Sequence, residues 1–298
     1  MMDTIKTVHD LRPQLYELRN ESREAACETG LAELDDLYAP RKGYPLFIAG
    51  APHHGKSLFV KWLLVTWSEK YNWKHFVYMG EEGGPEELAI DLAEMHVGVP
   101  ARKKNFRGQP QECMEDEEFE VALNWVEKHF VFYDPDAIKH DFSPADFYDA
   151  CSCIEYDTTV LDPWNDAHRD LTTSGGREDV WLTSELKRVR QESKMWDRID
   201  IVVNHIAKLH ADSTTVSGKR YQKPALPQEW AGGQAWYRRA FTMLLVYRPP
   251  AGEKMREGEE EIRDGETWVI NQKTKPKGSG KLGRAKLFLS RKSNRFTQ

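Results

Sequence analysis

The feature that most restricts the fold of this 298-residue chain is an eight-residue segment with two glycines: Gly50, Ala51, Pro52, His53, His54, Gly55, Lys56 and Ser57. It lies between a short apolar run, 44–49, which predicts a buried strand, and a longer one, 58–67, which is apolar on nearly every face and predicts a buried helix. The pattern G-x-x-x-x-G-K-[ST] between a strand and a helix is typical of a phosphate-binding loop. Backbone N–H groups wrap the phosphate, Lys56 reaches the β and γ oxygens, and Ser57 holds Mg²⁺. The segment therefore predicts binding of ATP and Mg²⁺. His53 and His54 occupy variable positions of the pattern and are expected to be exposed.

The rest of the chain alternates strand-like and helix-like segments. Predicted strands are 75–79, 130–133, 158–162 and 199–204, and predicted helices are 85–97, 116–128, one opened by Ser143 and Pro144, and 178–195. Such alternation requires right-handed crossovers and a parallel sheet. From residue 241 onward, strands 241–247, 267–272 and 285–289 follow one another without helices. We expect an α/β fold with a mostly parallel sheet flanked by helices and an antiparallel C-terminal extension beginning at residue 241.

The N-terminal region and the charge distribution indicate two parts of unequal size. Residues 7–28 predict a helix with a thin apolar stripe of Leu11, Leu15, Tyr16 and Leu18. We expect residues 1–29 to form a linker or docking helix and residues 30–298 to form one large domain. The net charge is −6, but the final 28 residues, 271–298, contain nine Lys or Arg and no acid. This basic tail is either a solvated surface or a segment that meets phosphate.

The sequence contains no predicted membrane segment. The longest apolar stretch, 58–67, is interrupted by Lys61, and the N-terminus lacks the apolar core of a signal peptide. The four cysteines have no paired C-x-x-C spacing and are too few for a disulfide scaffold in a chain of this length. We expect a cytoplasmic protein with reduced thiols.

Three acidic positions and one histidine follow predicted strands and are candidates for chemistry. Asp162 ends strand 158–162, where a magnesium ligand opposite the phosphate loop is needed. Glu81 and Glu82 follow strand 75–79, and one of them is a candidate to orient the water that attacks the γ-phosphate. His205 ends strand 199–204. Because ligands bind at the carboxyl edge of open α/β sheets, these side chains are predicted to lie near the phosphate loop.

With these positions identified, the chain resembles the RecA-like motor domain of the DnaB/Twinkle replicative helicases, especially the phage and mobile-element forms. The resemblance runs from about Gly30 to Phe296. Its motifs are the phosphate loop, Glu82 followed by Pro85, the L-D-P-W-N segment 161–165 and the V-N-H-I-A-K segment 203–208. It implies a RecA-like P-loop NTPase fold in which Glu82 polarises the attacking water, Asp162 binds Mg²⁺ through water, and His205 contacts the γ-phosphate and couples it to DNA.

The resemblance also implies partners. The family places K-x-R at the end of a late strand, where it reaches the ATP site of the adjacent subunit. Here the match is Lys273 and Lys275, with a lysine where arginine is expected; Lys277 or Arg284 can substitute. The implied assembly is a homo-hexamer that passes single-stranded DNA past loops 169–177 and 217–223. No primase domain precedes the motor in this sequence, so we expect any primase or loader to be a separate protein.

Other functions are compatible with a phosphate-binding loop. A RecA/KaiC-like ATPase that remodels or loads nucleoprotein complexes has the same fold without unwinding DNA. A small-molecule kinase also uses such a loop, although the sequence shows no clear lid segment with paired arginines. A non-catalytic nucleotide-binding scaffold is the third alternative. Turnover of ATP, its dependence on single-stranded DNA and the size of the assembly distinguish these functions.

Overall fold

A computed structural model describes residues 6–20, 27–138, 141–207, 213–276 and 278–298. The strands are β1 (Leu46–Gly50), β2 (His75–Met79), β3 (Phe130–Phe132), β4 (Thr158–Asp162), β5 (Ile199–His205), β6 (Ser213–Thr214), β7 (Arg220–Tyr221), β8 (Thr242–Tyr247), β9 (Glu266–Lys273), β10 (Gly283–Ser290) and β11 (Arg295–Thr297). The α-helices are α1 (Val8–Asn20), α2 (Ala32–Leu37), α3 (Lys56–Tyr71), α4 (Pro85–Val97), α5 (Asp116–His129), α6 (Pro144–Cys151), α7 (Glu178–Met195) and α8 (Gln234–Arg239). Short 3₁₀ helices cover Gly80–Glu82, Asp136–Ile138, Trp164–Asp166, Thr172–Ser174 and Pro227–Glu229.

Nine of the strands form one mixed sheet in the order β11-β10-β9-β8-β1-β5-β4-β2-β3. The six strands from β8 to β3 in this order are parallel, and β9, β10 and β11 extend the sheet in antiparallel pairs. The predicted α/β class with a mostly parallel sheet is therefore confirmed. Strand β1, which leads into the phosphate loop, lies near the middle of the sheet between β5 and β8.

The expected start of the antiparallel extension was wrong by one strand. β8 covers the predicted strand 241–247, but it pairs in parallel with β1, with Leu46 opposite Thr242. The chain between β5 and β8 is long and includes α8, so it returns to the sheet as a crossover rather than as a hairpin. The antiparallel part therefore begins at β9. The short elements α2, β6, β7 and β11 were not predicted, because segments this short carry little hydrophobic periodicity.

Helices cover both faces of the sheet, as the alternation of side chains along β1 shows. Leu46 and Ile48 belong to the core shared with α3, α4 and α5. Phe47 and Ala49 point into the core shared with α6, α7 and α8. A strand that is buried on both faces reads as a continuous apolar run, which explains why β1 was recognisable in the sequence.

Helix α3 is enclosed on almost every side. Every residue from Phe59 to Ser68 is buried, including the cationic Lys61. The indole of Trp67 donates a hydrogen bond to the carbonyl oxygen of Cys27, which is itself buried. The helix that starts at the phosphate loop is thus fixed to the core along its length.

Helix α1 makes a contrast with this core. Its apolar side chains Val8, Leu11, Leu15 and Tyr16 are exposed in the single chain. The remainder of the predicted N-terminal helix, residues 21–26, lies outside the described residues. In the part of the chain that the structure describes, no helix is long and apolar enough to cross a membrane.

Candidate functional site

The phosphate-loop segment forms the turn between β1 and α3, with Gly50 as the last strand residue and Lys56 as the first helical one. A Cβ added to Gly50 would lie 2.6 Å from the carbonyl oxygen of Val246 on β8, so a larger residue would displace the backbone. Gly55 caps the helix with a φ of 85°, which other residues adopt only with strain. Both glycines of the pattern therefore have a steric reason to be glycine.

A cavity of about 450 Å³ opens beside this turn. Most of its lining consists of predicted site residues from three separate segments of the chain. The lining residues are Pro52, His53, Gly55, Lys56, Ser57, Leu58, Lys61, Glu81, Glu82 and His205. The carboxyl ends of β1, β2 and β5 thus bring these segments to one edge of the sheet. Gly50, the last residue of β1, and Ala51 are buried and do not line the cavity.

Asp162 at the end of β4 is the most unusual group of this edge. Its side chain is buried, and neither carboxylate oxygen has a hydrogen-bond partner among the described residues. Burial raises its pKa to about 7, while the nearby Ser57 hydroxyl and Lys56 ammonium oppose that rise. A buried polar group without a partner is costly unless a ligand completes it. The Ser57 hydroxyl and the Asp162 carboxylate are hard oxygen donors, so this pair fits Mg²⁺ directly or through its water.

The turn after β2 carries Glu81 and Glu82 in a 3₁₀ helix. The two side chains have different partners. Glu82 Oε2 lies 2.5 Å from the ammonium of Lys61, whereas Glu81 Oε1 lies 3.4 Å from His205 Nε2. Both acids line the cavity, and their negative charges also raise the pKa of Asp162.

His205 occupies the last position of β5, directly opposite Gly50 in the register of the two parallel strands. Its backbone N–H donates to the side-chain oxygen of Asn204 at 2.8 Å, and the Asn204 amide donates to the carbonyl oxygen of Ala231. These bonds fix the end of the strand and leave the imidazole facing Glu81. The following Lys208 of the family motif lies outside the described residues.

The two histidines of the loop differ in environment. His53 is exposed, as predicted, and its φ is 64°. His54 is only partly exposed, which corrects that expectation. Its ring packs edge-on against Tyr247 at 5.2 Å, and its Nδ1 accepts a long hydrogen bond of 3.4 Å from the backbone N–H of Arg248. Burial, together with the positive charges of Arg248 and Lys56, lowers its pKa to about 4, so the ring is neutral.

Lys273 and Lys275 lie away from this cavity. Lys273 ends β9 opposite Met243, near the amino-terminal end of β8 and therefore at the sheet edge opposite the phosphate loop. Its ammonium contacts the carbonyl oxygen of Tyr237 and lies 5.1 Å from the centre of that ring. The alternative Arg284 packs its guanidinium over Trp268 at 4.1 Å, and Lys277 lies outside the described residues. Within one chain, neither lysine joins the other predicted site residues.

Sequence reasoning missed Arg248, which immediately follows β8. Its Nη2 atom lies 3.1 Å from the position that a Cβ on Gly55 would take, and its Nε is buried without a hydrogen-bond partner among the described residues. Burial lowers its pKa, with the charge of Arg291 acting in the same direction. The sequence contains no usable signal for this residue, because its place near the phosphate loop depends on β8 running parallel to β1, whereas an antiparallel strand was expected there.

No protein-family model and no curated protein sequence matches the chain. Solved structures are similar to it. The ATPase domain of G40P matches with a TM-score of 0.73 and 15% identity, covering 98% of each chain. A DnaB-like replicative helicase, described together with its interactions with primase, matches with a TM-score of 0.71 and 14% identity over 98% of this chain and 68% of that one. The RadB recombinase matches with a TM-score of 0.54 and 15% identity over 91% of this chain and 98% of that one.

These similarities define the class of fold. The chain has the RecA-like fold of P-loop ATPase domains, a mostly parallel sheet with an antiparallel C-terminal extension. Within that class, its fold is similar to those of the DnaB-like replicative helicase and the G40P ATPase domain, which confirms the fold that the resemblance in the motifs implied.

Proposed function

We propose that this protein is an ATP-dependent DNA helicase of the replicative, ring-forming kind, in which ATP hydrolysis drives translocation on single-stranded DNA. The observation that carries the proposal is the meeting of the phosphate loop, Asp162, Glu82 and His205 at one edge of the sheet, around or beside one cavity. These are the groups that a motor of this fold needs for binding, hydrolysing and sensing a nucleoside triphosphate.

The proposed division of labour follows the chemistry of each group. Backbone N–H groups of residues 50–57 and the Lys56 ammonium bind the phosphates. Ser57 and Asp162 hold Mg²⁺, which when bound neutralises charge on the β- and γ-phosphates. Glu82 orients the attacking water and accepts its proton. His205 responds to the loss of the γ-phosphate and transmits it along β5.

Glu81 links the movement of His205 to the 3₁₀ helix Gly80–Glu82, which carries the proposed base Glu82. Its carboxylate faces His205, while the adjacent Glu82 carries out the chemistry. A movement of the imidazole therefore acts on the same short 3₁₀ helix that carries the base. This arrangement provides a route for coupling hydrolysis to the chain that follows β5.

Single-stranded DNA is the proposed polymer because basic loops follow the strands that carry the site. Segment 217–223, which includes β7, contains Lys219, Arg220 and Lys223. Segment 169–177 contains Arg169 and Arg177, and Gly175 and Gly176, both with positive φ, precede Arg177. Basic segments of this kind bind the phosphate backbone without reading sequence.

The assembly we propose is a cytoplasmic homo-hexamer. Residues 1–29 act as a docking arm, because the apolar side chains of α1 are exposed in the single chain and need a surface to cover them. Lys273 and Lys275 complete the ATP site of the adjacent subunit, which accounts for their distance from the cavity of their own chain.

The test combines two measurements. Unwinding of a forked duplex by the full-length protein with ATP and Mg²⁺ is expected, together with a mass of about six chains in the presence of ATP and single-stranded DNA. Lys56→Ala is expected to abolish unwinding. A monomer that phosphorylates a small molecule, or intact protein without turnover, contradicts the proposal.

A second candidate is a RecA/KaiC-like ATPase that remodels or loads nucleoprotein complexes without unwinding. The similarity to the RadB recombinase and the lysine at position 275 favour it. Arginine binds phosphate oxygens as a fork, whereas lysine does not, so a site completed by lysine suits a slower ATPase. ATP hydrolysis that is unaffected by single-stranded DNA, without strand displacement, would identify this function.

A further inference from the structure

Lys61 is a buried cation that touches the proposed catalytic base. It follows Ser57 by one turn of α3, and its side chain is 6% exposed. Its ammonium lies 2.5 Å from Glu82 Oε2 and 2.8 Å from Asp91 Oδ2. One buried ammonium thus holds two carboxylates, one from the turn after β2 and one from α4.

The second carboxylate determines how firmly Glu82 is held. A buried ammonium that loses its only anionic partner is strongly destabilising. Here Asp91 Oδ2 lies 2.8 Å from the Lys61 ammonium on its own account, so release of Glu82 would leave the buried charge with a carboxylate partner. Asp91 is itself fixed from its other oxygen by Arg102 at 3.3 Å.

The backbone around Glu82 is suited to such a movement. Gly83 and Gly84 follow it directly, with φ values of 91° and 128°. Glycine reaches these conformations and those of negative φ with similar ease, so the turn can change without the steric barrier that a side chain imposes. The helix α4 begins only at Pro85, beyond both glycines.

We propose that Lys61 is a positioning residue that holds Glu82 in a resting position. When DNA stimulates the motor, Lys61 releases Glu82 and stays paired with Asp91, so that Glu82 is free to move. The inference rests on the proposed function, in which Glu82 orients the attacking water. Lys61 lies four residues beyond Ser57, about 6 Å along the helix from it, so it draws the carboxylate away from the phosphate loop. The Glu82 oxygen that accepts a hydrogen bond from the ammonium also has one lone pair fewer for the attacking water.

The pair Lys61→Met and Asp91→Asn tests this arrangement, because the two changes are expected to act in opposite directions. Lys61→Met releases Glu82, so the turnover number without DNA rises several-fold, the KM for ATP stays the same, and stimulation by single-stranded DNA shrinks. Among the described residues, Asp91→Asn leaves Glu82 as the one anionic partner of Lys61, so turnover without DNA is expected to fall. Lys61→Arg keeps the positive charge, so its turnover without DNA is expected to stay as low as that of the wild type. Lys70→Met, at an exposed position of the same helix, is the matched control.

Several results would overturn the inference. Slower turnover in Lys61→Met means that Lys61 orients Glu82 for catalysis rather than restraining it. Turnover that changes in the same direction in Lys61→Met and Asp91→Asn excludes the idea that Asp91 allows Lys61 to release Glu82. A wild-type chain without ATP turnover contradicts the proposed function instead. The resting contact is then tested by unfolding in urea. Shifts of the midpoint in Lys61→Met and Glu82→Gln that are not additive in the double variant support the contact, and additive shifts overturn it.

Discussion

Gly50 and His205 are register partners on the neighbouring parallel strands β1 and β5. The first residue of the phosphate loop and the candidate sensor of the γ-phosphate therefore lie side by side, although 155 positions separate them in the sequence. His205 faces Glu81, and the adjacent Glu82 is bound by Lys61. The two acids of one short turn thus have separate partners and, in our account, separate tasks.

The first prediction separates these two acids. Glu82→Gln is expected to lower the turnover number for ATP by about 100-fold or more while ATP binding is kept, because the amide cannot accept the proton of the attacking water. Glu81→Gln is expected to keep hydrolysis in the absence of DNA and to weaken its stimulation by single-stranded DNA. Steady-state hydrolysis with and without DNA, beside equilibrium binding of ATP, measures both effects. Equal turnover in Glu82→Gln and wild type would remove Glu82 as the base.

The second prediction concerns the buried carboxylate of Asp162. Without Mg²⁺ and nucleotide, Asp162→Asn is expected to stabilise the protein by about 1–3 kcal/mol, because it removes a buried carboxylate that has no hydrogen-bond partner among the described residues. The same variant is expected to lose Mg²⁺-dependent ATP hydrolysis. Urea unfolding in EDTA gives the first quantity, with the exposed Asp149→Asn as control. A less stable Asp162→Asn protein contradicts the view that this carboxylate awaits a ligand.

The third prediction is a pH dependence of stability caused by His75. This ring is buried on β2, and its nitrogens lie 2.8 Å from the Ser68 hydroxyl and 2.6 Å from the Thr158 hydroxyl. Burial lowers its pKa to about 3, with the charge of His129 acting in the same direction. Between the ordinary histidine pKa of about 6.5 and this value, the unfolded chain binds the extra proton. The contribution of His75 to the free energy of unfolding therefore falls as pH is lowered through that window, by up to about 1.4 kcal/mol per pH unit, and is constant above it.

Urea unfolding at pH 7 and pH 5 measures this effect. His75→Gln is expected to be less stable than wild type at pH 7 and to lose part of the difference between the two pH values. The remaining difference includes His129, whose pKa is also lowered by burial, and Asp162, whose raised pKa has the opposite effect on stability in the same pH range. His9→Gln, at an exposed position of α1, is expected to behave as wild type. An unchanged pH dependence in His75→Gln would show that the buried ring does not drive it.

The fourth prediction tests whether the basic residues at the end of β9 act between subunits. Lys273→Ala and Lys275→Ala chains, mixed with Lys56→Ala chains, are expected to regain part of the ATP hydrolysis that each variant lacks alone. A mixed ring then contains some sites with an intact phosphate loop and an intact neighbouring lysine. Lys275→Arg is expected to raise turnover, because guanidinium binds phosphate oxygens as a fork. Absence of activity in every mixture would exclude action in trans.

Much of the fold could be predicted from the sequence because its elements are long, strongly patterned or clearly bounded. The bounds predicted for β2, α4, β4 and α7 agree with the structure. The direction of β8 could not be read in the same way, since a strand looks alike in either direction and only the path of the preceding chain decides it. The burial of α3 was predicted correctly because the helix is apolar on nearly every face.

The site was predictable where a residue's position on a strand fixes its place. Asp162 and His205 end strands, and strand ends meet at one edge of a parallel sheet. Contacts between side chains of different elements were not predictable in this way. Lys61 was visible only as a charge inside an apolar run, and its two partners lie 21 and 30 positions further along the chain. Arg248 likewise lies near the phosphate loop only because β8 pairs in parallel with β1.

The most direct test of the account is calorimetric titration of the full-length protein with ATP and Mg²⁺, because every proposed role depends on phosphates bound at residues 50–57. We predict one ATP bound per chain by the wild type and an affinity at least about tenfold weaker in Lys56→Ala, which loses a charge-assisted contact worth about 1.5–3 kcal/mol. No binding of ATP to the folded wild-type protein, or equal affinity in the two proteins, would contradict the account.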